Sequence, residues 1–182
     1  MAAISKLLSY EEWLALPEVE GVEEVVRGEI RKRPSNKWNH TRVVHALARQ
    51  LSARLDPETA YVVTSVFGLV ISRDPVTTRV PDIAVFISKN IVEQEGYMHS
   101  PPELLVEVLS PANTPAERAE KLQDYESLGV PEVWVVSPEA QTVEVLLLQE
   151  GHLVTTSLLR HGQLMPTRFP GAAVEIDAIW RR

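Results

Sequence analysis

The sequence predicts one α/β (α+β) domain over residues 1–182, with a mixed central sheet flanked by helices. Three observations predict this fold. Short apolar runs typical of strands are interspersed with two well-marked helices, and one of these helices connects two nearly all-apolar runs. A connecting helix of that length places its two strands parallel. The chain of 182 residues is 45% apolar, which suffices for one sizeable core, and it shows no repeat or linker.

The N-terminal part begins with two short elements. Ser9 and Glu12 have the spacing of a capping box, so we expect a short helix there, which Pro17 ends. Two short runs then flank Arg27-Gly28, a pair suited to a tight turn, and the pattern over 24–31 predicts a β-hairpin.

The clearest helix spans residues 36–55. Its apolar residues recur every four positions, while its arginines lie off that stripe. The apolar positions are Val43, Leu47, Leu51 and Leu55, and the arginines are Arg42, Arg49 and Arg54. Beyond this helix we expect a strand over 61–72, a turn at 73–75, a second strand over 80–88 and a polar loop over 89–100.

The centre of the predicted fold is a strand over 103–109, then a helix, then a strand over 133–137. The helix has complete end signals, namely a threonine cap, a proline at its first position, a capping-box glutamate and a final glycine. These residues are Thr114, Pro115, Glu117 and Gly129. A hairpin over 142–148 and 153–158 follows, so the core is predicted to run strand–strand–strand–helix–strand.

Charge is distributed unevenly along the chain. The net charge of −7 argues against indiscriminate binding to nucleic acids or membranes. Residues 27–54, however, carry eight Lys or Arg and one Glu, which predicts a local positive surface on an acidic protein.

The absence of cysteine excludes disulfides, thiolate metal sites and a cysteine nucleophile. Because no apolar run is long enough to span a membrane, we expect a cytoplasmic protein without a membrane partner.

Two acidic residues stand in predicted strands that otherwise need apolar side chains. Glu107 shares a strand face with Leu105 and Leu109, and Asp82 lies near the start of the preceding strand. A strand-end glutamate that reaches solvent or pairs with an arginine, and an aspartate that begins a strand, would each explain one residue alone. On adjacent strands the two carboxylates would repel each other, and a divalent cation with oxygen ligands would relieve that repulsion.

Lys121 lies on the helix that follows the Glu107 strand. One interpretation is a solvated lysine paired with Glu117, one turn away. The other is a cation that reaches back over the end of the sheet towards the carboxylates. Other chemistries have less support, because the sequence lacks the phosphate-loop, dinucleotide, nucleophile-elbow and zinc-protease motifs. His40 and His45, five residues apart on one helix, form a poor zinc pair.

An Asp on one strand, a Glu on the next and a nearby Lys resemble the PD-(D/E)XK nuclease superfamily. More specifically, the chain resembles the prokaryotic family of putative restriction endonucleases. The resemblance extends from about residue 9 to residue 150. Its matching stretches are 24–29, His40, 80–85, 102–111, Lys121, Tyr125, 129–130 and 133–136. This resemblance implies a restriction-endonuclease-like core.

The resemblance also implies a metal site. Asp82 and Glu107 would hold Mg²⁺, for which Mn²⁺ can substitute, and the backbone carbonyl of Val108 would be a third ligand. Glu24 matches the N-terminal glutamate of the family and would bind the metal directly or through water. These residues are the candidate catalytic and metal-binding groups.

The usual lysine of the superfamily lies two residues after the glutamate, but Leu109 occupies that position here. The resemblance implies that Lys121 supplies the cation instead, and that the chain is an endonuclease acting on DNA phosphodiester bonds. The basic segment would grip the DNA backbone through salt-sensitive contacts. The residues expected to contact DNA are Arg27, Lys37, His40, Arg42 and Arg49. The resemblance also implies a homodimer or a higher homo-oligomer, since each active site of such enzymes cuts one strand.

Two other functions stay open. The displaced lysine is compatible with a catalytically inactive nuclease fold that acts in nucleic-acid binding or assembly, and Mg²⁺-dependent nicking of plasmid would distinguish the two. A metal-free hydrolase such as a glycosidase would use Asp82 and Glu107 as an acid–base pair. Only 6% of the residues are aromatic, which is unfavourable for stacking on sugars, and sensitivity to EDTA would decide the matter.

Overall fold

The computed structural model describes residues 7–17, 23–33, 37–64 and 67–181. The helices are α1 (Tyr10–Leu14), α2 (Trp38–Ser52), α3 (Pro115–Leu128) and α4 (Ile176–Trp180). The strands are β1 (Glu23–Val26), β2 (Glu29–Lys32), β3 (Ala60–Thr64), β4 (Leu69–Arg73), β5 (Val76–Arg79), β6 (Ile83–Ile87), β7 (Glu93–Gln94), β8 (Tyr97–Met98), β9 (Leu104–Val108), β10 (Glu132–Ser137), β11 (Thr142–Gln149), β12 (His152–Leu159), β13 (Gln163–Leu164) and β14 (Val174–Glu175). Among the described residues, no helix is long and apolar enough to cross a membrane.

A six-stranded mixed sheet forms the centre of the fold, in the order β12-β11-β10-β9-β6-β3. Strands β9 and β10 are parallel and are joined by α3, whereas the other neighbouring pairs are antiparallel. In chain order, β3, β6, β9, α3 and β10 give strand–strand–strand–helix–strand. The predicted α/β (α+β) class with a mixed central sheet is therefore confirmed.

Smaller sheets flank the central one. Strands β4, β5, β7 and β8 form a four-stranded sheet of order β5-β4-β8-β7, while β1 pairs with β2 and β13 with β14. The single strand predicted over 61–72 is wrong, because the chain leaves the central sheet after β3 and pairs β4 with β5 instead. Residues 65–66, within that prediction, lie outside the described residues. The polar loop predicted over 89–100 contains the short strands β7 and β8.

The hairpin predicted over 24–31 forms as β1 and β2. Arg27 and Gly28 both have positive φ angles, 50° and 78°, as a type I′ turn requires. A side chain at Gly28 would also lack room, since its Cβ would lie 2.6 Å from the backbone nitrogen of Leu8. Strand β1 of this hairpin packs along β5, which brings Glu24 towards the residues that follow β5.

Two helices cover opposite faces of the central sheet. The apolar stripe of α2 packs against the face that includes Val106, and Tyr125 of α3 packs against the face that includes Leu105. Consecutive strand residues point to opposite faces, so the two helices sandwich β9. The capping box and the terminal Gly129 predicted for α3 are present. Asn36, within the helix predicted over 36–55, lies outside the described residues, and α2 begins at Trp38.

The ladder between β6 and β9 ends at the pair Ile83–Val106. Asp82 and Glu107 are the next residues at that end. The backbone N–H of Val108 donates to the Asp82 carboxylate at 2.8 Å. The aspartate side chain thus accepts a backbone hydrogen bond just beyond the last residue pair of the two strands. For this reason β6 begins later than the strand predicted over 80–88. Both acidic side chains therefore lie at one end of the central sheet.

Candidate active site

Glu107 is buried near the end of β9 and is held by two residues of α3. The ammonium of Lys121 lies 3.1 Å and 3.0 Å from the two carboxylate oxygens, and the hydroxyl of Tyr125 donates to one of them. A spacing of four residues places Lys121 and Tyr125 on the same face of α3. Glu117 accepts hydrogen bonds from Thr114 in the capping box. Lys121 thus pairs with Glu107, and the alternative pairing with Glu117 is wrong.

Burial raises the pKa of the Glu107 carboxyl above its usual value. Lys121, Tyr125 and Arg33 act in the opposite direction, while the negative charge of Asp82 adds to the increase. Because the net direction is upward, the positive groups around Glu107 do not fully compensate its desolvation. A further cation beside this carboxylate would stabilise its ionised form.

Asp82, only 1% exposed, lies beside the same group of side chains. Its Oδ2 accepts hydrogen bonds from the N–H of Val108 at 2.8 Å and from Nε2 of His40 at 3.1 Å. Nη2 of Arg33 lies 3.7 Å from Oδ1. Burial alone would raise the pKa of Asp82, but His40, Val108 and Arg33 together bring it below its usual value. Asp82 is therefore more readily ionised than Glu107.

Glu24 of β1 joins this group from the hairpin. Its Oε1 accepts from the N–H of Val80 at 3.0 Å and lies 3.6 Å from Nζ of Lys121, while Oε2 accepts from Arg79 at 3.0 Å. Burial opposes ionisation, yet Lys121, the Val80 amide and the neighbouring arginines lower the pKa of Glu24. The structure thus brings together the four predicted catalytic residues, Glu24, Asp82, Glu107 and Lys121.

A cleft opens at these side chains and is lined mainly by charged residues. The lining includes Glu24, Glu107, Val108 and Lys121, together with Arg31, Lys32, Arg33, His40 and Arg79. The basic residues 31–33 belong to β2 and its end, so the hairpin supplies a positive rim on its side of the cleft. On the other side, α3 contributes Glu117 and Glu120 to the lining. Buried carboxylates below a positive rim suit an anionic ligand that is accompanied by a cation.

Leu109 occupies the position of the lysine in the motif that the sequence resembles. Its side chain packs against the apolar cluster that includes Tyr125 and Val133. The cation at Glu107 comes instead from α3, through Lys121. The broken motif is therefore accompanied by a lysine that reaches the same carboxylate from a neighbouring element.

Two arginines at the site were not among the predicted residues. Arg79, 3% exposed, contacts Glu24 at 3.0 Å, Glu120 at 3.2 Å and Asp124 at 2.6 Å. For Arg79, the signal available in the sequence was a charged residue three positions before Asp82, at the end of a β-rich run. Arg33 carried no comparable signal, because its partners are distant in the sequence.

Arg79→Leu should lower the free energy of unfolding by about 3–5 kcal/mol, because it removes the buried cation that pairs with the largely buried carboxylates of Glu24 and Asp124. Urea denaturation measures the change. The matched control is Arg31→Leu, since Arg31 is 45% exposed and pairs with Glu120, and its loss should cost less than about 1 kcal/mol. Equal losses in the two variants would contradict this structural role of Arg79.

The residues predicted to contact DNA have different surroundings. Arg27 is exposed and pairs with a glutamate of α3, whereas His40 is buried beside the carboxylates. Arg42 donates to backbone carbonyls at the end of α4 and just beyond it, at 2.9 Å and 2.5 Å. Lys37 and Arg49 are exposed on α2 or at its start. The basic segment therefore divides between the cleft rim and the outer face of α2.

The donor set suits a hard divalent cation. Across the described ranges, no three or more His, Cys, Asp or Glu residues form a group that could hold a metal ion. The predicted ligands Asp82 and Glu107 would supply two carboxylates. Two carboxylates fit Mg²⁺, which is bound through one or two such groups and keeps waters or substrate oxygens. The raised pKa of Glu107, caused by burial and by Asp82, is consistent with a place for added positive charge.

A family model described as "Uma2: Putative restriction endonuclease" matches residues 10–177. The chain belongs to the Uma2 family. The resemblance found in the sequence is thereby confirmed, and the matched range contains all four candidate catalytic residues of this Uma2 chain. No curated protein matches the chain.

A solved structure is similar to this Uma2 chain. It is the crystal structure of a putative nuclease belonging to DUF820 from Anabaena variabilis ATCC 29413. The TM-score is 0.78 with 21% sequence identity, and the match covers 95% of this chain and 97% of the other. The two proteins therefore share their fold over nearly their whole length.

Proposed function

We propose that this Uma2 chain is a metal-dependent endonuclease that hydrolyses DNA phosphodiester bonds, with Mg²⁺ as the metal. The observation that supports this best is the meeting of Glu107 and Lys121 at one cleft with a positive rim, beside the buried carboxylate of Asp82, which is hydrogen-bonded to Val108 and His40 of the cleft lining. Membership of a family described as restriction endonucleases supports nuclease chemistry. The fold, shared with a putative nuclease, is compatible with it.

Asp82 and Glu107 would hold the metal, with the backbone carbonyl of Val108 as a further ligand and Glu24 acting directly or through water. When bound, Mg²⁺ polarises the scissile phosphate and lowers the pKa of a water molecule. The hydrogen bonds from His40 and Val108 keep Asp82 ionised and oriented. The bond from the Tyr125 hydroxyl and the contact with Lys121 orient Glu107.

Lys121 would act on the reacting groups directly. Its side chain is 13% exposed, and its ammonium lies between Glu107 and Glu24 at the cleft. From there it would orient the attacking water and offset the negative charge that develops on the phosphate in the transition state.

The DNA backbone would be held by the positive rim and the exposed basic residues of the segment 27–54. Contacts of this kind fix the position of the duplex and carry no sequence information. Because one site cuts one strand, we further propose that the active form is a homodimer or a higher homo-oligomer.

Incubation of supercoiled plasmid with the protein tests this proposal. We expect nicked or linear plasmid with Mg²⁺ or Mn²⁺, and no cleavage in EDTA or with Asp82→Asn, which lacks one carboxylate. The matched control is Asp56→Asn, since Asp56 lies in an exposed loop beyond α2. DNA binding without cleavage in either metal would contradict the endonuclease and favour an inactive nuclease fold that binds nucleic acid.

A further inference from the structure

Arg33 lies beside two carboxylates of the site and, although part of the basic segment 27–54, was not among the residues singled out for DNA contact. Its Nη1 donates to the backbone carbonyl of Val80 at 2.5 Å. Its Nη2 lies 3.7 Å from Oδ1 of Asp82, and its Nε lies 3.8 Å from Oε1 of Glu24. Arg33 also lines the cleft, and its side chain is 19% exposed. One guanidinium thus faces carboxylates of two different elements at the opening of the site.

Three of the cleft's cations, Arg33, Arg79 and Lys121, lie beside the buried carboxylates and are engaged to different degrees. Arg79 approaches its carboxylates to between 2.6 Å and 3.2 Å, and Lys121 approaches both oxygens of Glu107 to about the same distance. Arg33 lies beyond hydrogen-bond distance from Glu24 and Asp82, at 3.8 Å and 3.7 Å. Arg33 is also more exposed than the other two. Of these three, it is therefore the cation that can take a new ligand at the lowest cost in existing contacts.

A guanidinium in this position suits a phosphate. Its planar N–H groups match two oxygens of a phosphodiester, and it keeps its charge at any physiological pH. We infer that Arg33 binds a non-bridging oxygen of the DNA phosphate that enters the cleft, and so positions that phosphate over Asp82 and Glu107. This inference rests on the proposed endonuclease function and names one residue that holds its substrate.

The position of Arg33 predicts that its substitution affects metal binding and DNA binding in opposite directions. Its charge lies beside Glu24 and Asp82 and acts on Glu107, so it competes with any divalent cation at these carboxylates. Removing the charge should tighten metal binding in the absence of DNA. Removing the same group should weaken DNA binding in the absence of metal. A residue with a purely structural role would weaken both, because the whole site would loosen.

The experiment compares Arg33→Gln, Arg33→Lys and the parent protein. Binding of Mn²⁺ to the protein alone is followed by calorimetry, and binding of a short DNA duplex in EDTA by fluorescence anisotropy over a range of salt concentrations. The control is Arg73→Gln, because Arg73 is half-exposed and pairs with the exposed Glu11. It should leave both affinities unchanged.

For Arg33→Gln we expect DNA affinity to fall about tenfold, as for loss of a charged hydrogen bond, and the slope of log K against log salt to flatten by about 0.9. Mn²⁺ should bind more tightly than to the parent. Arg33→Lys, which keeps the charge and not the planar geometry, should retain the salt slope of the parent and recover only part of the affinity.

Parent-like DNA affinity and salt slope in Arg33→Gln, with a parent protein that cuts DNA, would overturn this inference and leave the proposed function intact. Weaker Mn²⁺ binding in both Arg33 variants would also overturn it, since that result indicates a structural role. A parent protein that neither binds nor cuts DNA would overturn the proposed function, and the assignment of Arg33 with it.

Discussion

Lys121→Ala should lower the rate of Mg²⁺-dependent DNA cleavage by about 10²–10³-fold, the range for loss of one preorganised group that stabilises transition-state charge. Lys121 contacts both oxygens of Glu107, and apolar Leu109 occupies the usual position of the lysine. The effect should fall on kcat with little change in KM, because the added charge appears only in the transition state. Steady-state cleavage of a short duplex measures both constants.

Lys89→Ala is the matched control for this variant, since Lys89 is an exposed lysine in the turn after β6. It should cut at the parent rate. Circular dichroism and Mn²⁺ titration should show that Lys121→Ala keeps the fold and still binds metal. Parent-like cleavage by Lys121→Ala would mean that another cation of the cleft, such as Arg33, offsets the developing charge.

Glu107→Gln should reduce cleavage by at least about 10³-fold, because the proposed role of Glu107 as a metal ligand accounts for several kcal/mol of transition-state stabilisation. The amide keeps the shape of the side chain and can still accept hydrogen bonds from Lys121 and Tyr125, so the fold should be retained. Mn²⁺ titration should show weakened binding. Full activity with normal Mn²⁺ affinity would exclude Glu107 as a ligand.

The same substitution should change how stability depends on pH. The pKa of Glu107 is raised in the folded protein, mainly by burial, so the folded state binds this proton more tightly than the unfolded state. Its contribution to stability is therefore complete below the unfolded-state pKa and is lost as pH rises through the folded-state pKa. Glu107→Gln should remove this decrease in stability with rising pH. Urea denaturation at several pH values from acid to neutral would measure the free energy of unfolding of both proteins.

Asp82→Asn provides the opposite case in the same site. Although burial opposes ionisation, hydrogen bonds from His40 and Val108 lower the pKa of Asp82. Its contribution is present above the unfolded-state pKa and is lost as pH falls through the folded-state pKa. Asp82→Asn should therefore remove a loss of stability on acidification. Identical pH profiles for Asp82→Asn and Glu107→Gln would contradict the opposite shifts.

The elements that could be predicted from the sequence are those with local signals. The capping box at Thr114 and the terminal Gly129 gave both ends of α3, and the paired positive φ angles at Arg27 and Gly28 match the predicted turn. The parallel pairing of β9 with β10 followed from the length of the connection between them. Asp82 and Glu107 stood out because carboxylates are costly in buried strands.

The features that could not be predicted depend on contacts between distant segments. Strand β4 has the residue pattern of a strand, but only its pairing with β5 and β8 shows that it belongs to another sheet. Arg33 and Arg79 acquire their positions from β1, β5 and α3 together, and no spacing along the chain encodes that meeting. The hydrogen bond from Arg42 of α2 to a backbone carbonyl of α4 likewise joins segments that are distant in the sequence.

The four candidate catalytic side chains come from β1, from the residue before β6, from β9 and from α3. A fragment limited to β9, α3 and β10 would hold Glu107 and Lys121 but lack Glu24 and Asp82. Such a fragment would carry two of the four candidate catalytic groups. The candidate site is therefore complete only when the N-terminal hairpin and the residues before β6 pack against β9 and α3.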